Sequence, residues 1–419
     1  MSSFLCGHNI HLHGPNRTHQ PTPMSRVELY LLFEGCIRHA TLWELMVQKQ
    51  MKLPKEKEVG SNEASESEEL REVLKIHSVI NHMVLKGPMS PQDIKDKLKL
   101  CINVLVDDLD ALERVCLEIS EDAKENGIKY FEISIDPYKF ISKDKSSSRV
   151  LDVVRTVLAS FKRGEELTQV KAGVLLQYQK GMLEESKEIL KLCQDFKDEN
   201  VVGIELAGYD FNIEAVVAED SGSLDFLLFS PDDISIFEEA KVSKIHRSVQ
   251  AGEFGPSDVI FQAIEKLGAE RIVFGYSVTQ DASLYHDCII NKIHICTTPT
   301  LSCLNGSVGL DKFYHPVIQF AEENVNYSIN SGLPVMTGGR LSQELELVKS
   351  WGLSETHLTK AAFNAARSAF LDDKSKKELQ KELRKAFGME DKVELEIMIN
   401  HNCGMSEEDG VQKKLKVSF

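Results

Sequence analysis

The chain of 419 residues carries 49 Lys+Arg against 65 Asp+Glu, a net charge of −16, which opposes nucleic acid or an anionic membrane as its main partner. Its 42% hydrophobic content suits a globular core, and the length fits two ordinary domains or one large β/α barrel. No run of about 18 apolar residues occurs and the first residues lack the apolar stretch of a secretory signal, so a cytoplasmic protein without a membrane helix is expected.

Residues 1–25, with Pro15, Pro21 and Pro23 and no apolar period, read as a flexible tail. The first β-rich run is RVELYL at 26–31, and residues 55–69 (KEKEVGSNEASESEE) read as a charged surface loop. A helical period over 106–126 leads to the second run, IKYFEISI, and VKAGVLLQ at 170–177 supplies the third. Then come a helix over 182–199, a β-rich run at 201–208 (VVGIELAG), another at 242–252 (VSKIHRSVQAG) and a helix over 256–268. The strands RIVFGY, KIHICTT and VNYSIN follow, with a helix over 313–324 before the last of them, and Asp281 is placed to cap the helix after RIVFGY. The chain closes in a second loose tail, giving a division into 1–25, a single domain over 26–400, and 401–419.

Alternation of eight β-rich runs with amphipathic helices predicts an α/β fold, a (β/α)8 TIM barrel with extra helices, whose functional residues sit at the C-terminal ends of the strands. Nine scattered cysteines without a CxxC pair read as reduced thiols. Neither a Walker loop, a GxGxxG after a strand, nor a GxSxG elbow is present.

Five stretches in fixed order carry a specific likeness: VELYLLFEG at 27–35, VVGIELAGYD at 201–210, HRSVQAGEFG at 246–255, ERIVFGY at 270–276 and NYSINSGLP at 326–334. Their order and spacing resemble the adenosine deaminase family of the metal-dependent hydrolase superfamily, and GLSETHLTKAAFNAARSAFLDD at 352–373 resembles its closing helices. The likeness spans about residues 24–385. It implies a barrel that binds zinc and deaminates a purine nucleoside.

The same likeness exposes departures at the metal site. The family's first strand carries a His-x-His pair, whose spacing turns both imidazoles to one side of a strand; here the positions hold Tyr30 and Leu32. The zinc histidine of the family's HAGE motif is Gln250, and the histidine that orients the attacking water is Phe274. The paired aspartates after the eighth strand, one for zinc and one for the purine, are Gly332 and Leu333, and a second-strand arginine is Ser134. Retained positions are Glu253, matching the glutamate that shuttles a proton to the purine, Gly208, matching a glycine at the base, and Glu34, matching an acid at the ribose. The lid region at 94–98 (IKDKL) is unusually charged, which puts closure over a substrate in doubt.

Metal coordination takes the pKa of water from 15.7 to ~7–9, so a lost zinc forfeits on the order of 9–12 kcal/mol of nucleophile activation. One general acid/base group supplies about 3–5 kcal/mol. Glu253 alone does not close that gap. The expectation is a catalytically degenerate deaminase-like barrel, without zinc or another cofactor, that binds a purine nucleoside, a protein partner or an active paralogue. The alternative is a deaminase working through substitute ligands. Glu253 has a second reading as a hydrogen-bonded rim carboxylate, and Gly208 as a tight-turn glycine. Tyr30, Leu32, Phe274 and Leu333 read as apolar filling of the former metal cavity or as the wall of a new pocket. The tail histidines His8, His11 and His13 imitate the lost pair in spacing, but precede the first strand among prolines.

Overall fold

The computed structural model describes residues 25–53, 68–142, 148–208, 229–309 and 315–389. The two tails, including His8, His11 and His13, and nearly all of the 55–69 loop lie outside the described residues.

Eight parallel strands follow one another in chain order: β1 (Arg26–Leu32), β2 (Ile128–Ile135), β3 (Lys171–Gln179), β4 (Val201–Ala207), β5 (His246–Ala251), β6 (Arg271–Phe274), β7 (His294–Thr297) and β8 (Tyr327–Ile329). A parallel bridge between Leu31 and Gly332, with Leu32 N donating to Gly332 O at 3.0 Å, brings the last strand back to the first. This is the expected (β/α)8 barrel. Strand runs are nearly all buried, as strands covered on both faces require.

Two segments differ from the sequence reading. The run 242–252 starts too early, because Val242 ends the helix Pro231–Val242 and Lys244 turns through φ 59° before β5 begins at His246. Residues 94–98 belong to the helix Pro91–Asn103, started by Ser90, whose side chain accepts from Asp93 N. Ile94 and Leu98 face the core while Lys95 and Asp96 face outward, so the charge marks the solvent face of an amphipathic helix. Asp281 caps Ala282–Ile290 as expected, accepting from Ser283 N and Leu284 N.

The lower barrel interior is closed by a buried ion pair, Arg271 with Glu132, both under 2% exposed. Glu132 Oε1 also accepts from Tyr130 Oη at 3.0 Å and from Phe370 N at 2.6 Å, and the Phe370 ring lies 3.8 Å from the Arg271 guanidinium carbon. A charge pair this deep persists only with such added bonds. The seven cysteines of the described residues are free thiols, six of them buried. Among the described residues no helix is long and apolar enough to cross a membrane.

Candidate functional site

At the C-terminal ends of β1, β3, β4 and β5 the inward side chains form one hydrogen-bonded group. Glu205, 1% exposed, accepts from Gln177 Nε2 at 2.9 Å and Gln250 Nε2 at 2.9 Å on one oxygen and from Ser248 Oγ at 2.8 Å on the other. Three donors offset the cost of burying a carboxylate. Gln179 Nε2 extends the chain to Gln177 Oε1 at 3.1 Å, and Gln250 Nε2 also donates to Tyr30 Oη at 3.2 Å. Burial first, then the charges of Glu205, Glu253 and Glu34, raise the Tyr30 pKa well above the usual phenol value, so Tyr30 stays a neutral hydroxyl.

An aromatic pair covers this group. The Phe274 ring meets Tyr30 edge-on, with centroids 5.6 Å apart at 77°. Phe274 has φ 75°, a conformation that costs a bulky residue energy, and Gly275 follows at φ 64°. Across the mouth, Gly332 sits at φ 64°, and a Cβ there would lie 2.9 Å from Thr298 Cγ2 and 3.5 Å from Tyr30 Cε1. Leu333 packs elsewhere, against Gly35, where a Cβ would fall 2.3 Å from Leu333 Cδ2. Of the four residues expected to fill the cavity, Tyr30 and Phe274 touch each other, Leu333 covers Gly35, and Leu32 is half-buried at the end of β1.

The retained acids are engaged. Asn305 Nδ2 donates to Glu253 Oε1 at 2.5 Å, with Glu253 5% exposed. Lys139 Nζ reaches Glu34 Oε1 at 2.8 Å, while the buried Glu34 Oε2 has no hydrogen-bond partner among the described residues. Burial opposes the charge on Lys139, but Glu34 and Asp136 outweigh it and raise the lysine pKa. Asp136 is pushed up to about 6 by burial, with Lys139 opposing and Glu34 adding to the rise. Gly208 has φ 92°, so the backbone itself calls for glycine there. Ser134 is buried on β2.

Zinc takes imidazole, thiolate or carboxylate ligands. The positions matched to the family's ligands offer a neutral phenol, an aliphatic chain, a primary amide already bonded twice, and a glycine. That set does not fit zinc. Among the described residues no group of three or more His, Cys, Asp or Glu is placed to hold a metal ion.

Six participants escaped the sequence reading: Gln177, Gln179, Glu205, Ser248, Lys139 and Asn305. Gln177 and Gln179, two apart on a strand, share a face, and that spacing was the available signal. Asn305 and Lys139 lie in connections after the strands, where spacing fixes no partner.

The family model described as Adenosine deaminase matches residues 25–386. An adenosine deaminase of Danio rerio is 30% identical over 375 residues, covering 87% of this chain and 96% of the relative. Among solved structures, an adenine deaminase from Arthrobacter aurescens superposes with TM-score 0.66 at 20% identity, covering 87% of this chain and 99% of that one. An Arabidopsis protein crystallised with IMP gives TM-score 0.65 at 19% identity over 87% of this chain and 97% of its own.

Proposed function

The chain belongs to the adenosine deaminase family, and from that premise we propose that it is a catalytically degenerate member, a cytoplasmic purine-binding, regulatory or interaction protein. The observation that carries this reading is the bond between Gln250 and Tyr30, two positions that the family resemblance assigns to zinc. The polar groups there satisfy one another through Glu205 and leave no donor set for a metal. Without metal-activated water, Glu253 would have to supply on the order of 9–12 kcal/mol by itself, several times the ~3–5 kcal/mol of one general acid/base group.

A purine nucleoside is the proposed small-molecule ligand, since Glu34, Gly208 and Glu253 stand at the family's nucleoside-contacting positions and the Arabidopsis neighbour was crystallised with IMP. A protein partner or an active paralogue is the proposed macromolecular one.

The test is inosine and ammonia formation from adenosine at high protein concentration with zinc supplied, beside Glu253→Gln, together with metal analysis and calorimetric titration of adenosine. The expected result is no turnover by either protein and no stoichiometric zinc. Heat of adenosine binding selects the purine-binding form of the proposal, and its absence selects the interaction form. Turnover that disappears in Glu253→Gln would establish the alternative, a purine nucleoside deaminase using substitute ligands.

A further inference from the structure

Away from the mouth, beside the start of β1, a shallow groove runs between the helices Leu341–Ser350 and Glu355–Ser368. Leu345, Leu358, Ala362 and Phe387 form a half-buried apolar floor, and Phe387 is fixed by its ring contact with Phe363 at 5.9 Å. Arg26 stands at the rim. It bonds Ser342 Oγ at 2.6 Å and the Asn126 carbonyl at 3.1 Å, and the charge of Glu346, which lines the same groove, acts on it together with that of Glu28. An unpartnered apolar floor calls for an occupant with an apolar face.

The chain itself offers one. The described residues end at Met389, two positions past Phe387 in the groove wall, and thirty residues follow, 390–419. Within them Val393, Leu395, Ile397 and Ile399 alternate with Glu394, Glu396, Met398 and Asn400. In extended form this alternation gives one apolar face and a glutamate-bearing opposite one. Three residues separate Met389 from Val393, four steps with a reach of roughly 13 Å at ~3.3 Å per residue. The segment is tethered at the groove, which raises its effective concentration there far above that of a free partner.

We propose that the groove is the docking site of the chain's own C-terminal segment 393–400, with its alternate apolar side chains on the Leu345–Leu358–Phe387 floor. The partner is thus internal.

The experiment uses the full chain with a benzophenone amino acid at position 358, irradiated at low and high protein concentration, and the cross-linked peptides identified by mass spectrometry. An intrachain link to the peptide containing 393–400, with a yield independent of concentration, is the expected result. Leu395→Asp together with Ile397→Asp should cut that yield about ten-fold or more, and circular dichroism checks that the barrel remains folded. Links between two chains, or links that avoid 393–400, overturn the proposal, as does an undiminished yield from the double variant. The position of the link in the unsubstituted chain decides the matter even if the variant aggregates.

Discussion

Gln250 Nε2 lies 3.2 Å from Tyr30 Oη and donates to it, joining β5 to β1 across the barrel mouth through residues 220 positions apart in the chain. The same nitrogen donates to Glu205 Oε1 at 2.9 Å. In the family's likeness these are positions for imidazoles around a cation; here a neutral amide binds a carboxylate and a phenol. The exchange keeps a polar centre in the mouth, and on the proposed reading this centre takes the place of a metal site.

Gln250→Leu removes both bonds while keeping much of the side-chain bulk. Tyr30 loses its donor and Glu205 one of three, for which a loss of about 1–3 kcal/mol is expected. Urea unfolding followed by circular dichroism should show a lowered midpoint with an unchanged slope. An unaltered midpoint would mean that the Glu205 group contributes nothing to stability.

Gly332→Asp puts back the residue type that the likeness assigns to zinc. Its Cβ would meet Thr298 Cγ2 at 2.9 Å on a backbone with φ 64°, so destabilisation of about 1–2 kcal/mol is expected. No metal should be retained after dialysis, as measured by atomic emission. Stoichiometric zinc in this single variant would contradict the reading of the mouth.

Arg271→Met leaves Glu132 buried without its cation. Removal of one partner from a buried pair costs about 3–5 kcal/mol, and Tyr130 and Phe370, which share Glu132, should loosen with it. Calorimetry should find a much lower Tm than for the unsubstituted chain, while Glu132→Gln with Arg271→Met should recover part of the loss.

Two further carboxylates give the fold a pH dependence. Burial pushes Glu28 up to about 7, opposed by its bonds from Ser331, and pushes Glu344 up to about 8, opposed by its bond from Thr300. A raised carboxylate pKa means that the folded state holds the proton more tightly than the unfolded one. Stability therefore falls as pH rises from the ordinary carboxylate range near 4.5 through about 7 and 8 and levels off above, by ~1.4 kcal/mol for each pKa unit. Urea midpoints should decline between pH 5.5 and 8.5, and Glu28→Gln with Glu344→Gln should flatten that decline; an unchanged slope in the double variant would refute the assignment.

The barrel was legible because each strand run and each helical period is a local pattern, and eight alternations admit few architectures. Strand limits were less so: VSKIHRSVQAG reads as one apolar-rich run, yet the helix end at Val242 and the turn at Lys244 take its first four residues. The charge in 94–98 was legible but its meaning was not, since only the packing of Ile94 and Leu98 tells a solvent face from a failed lid. Asp281 was readable as a cap because capping spans three residues. Lys139 against Glu34 was not, because that pair is 105 positions apart.

By itself the sequence determined the alternating barrel and the identity of the side chains at the strand ends, because residue type and local period are properties of the linear chain. The tertiary structure decided what those replacements do. That Gln250 bonds Tyr30, that Glu205 gathers three donors, that Gly332 faces Tyr30 and Thr298 while Leu333 turns to Gly35, all follow from barrel closure and strand register. Those set distances between residues tens to hundreds of positions apart, and no local pattern encodes them.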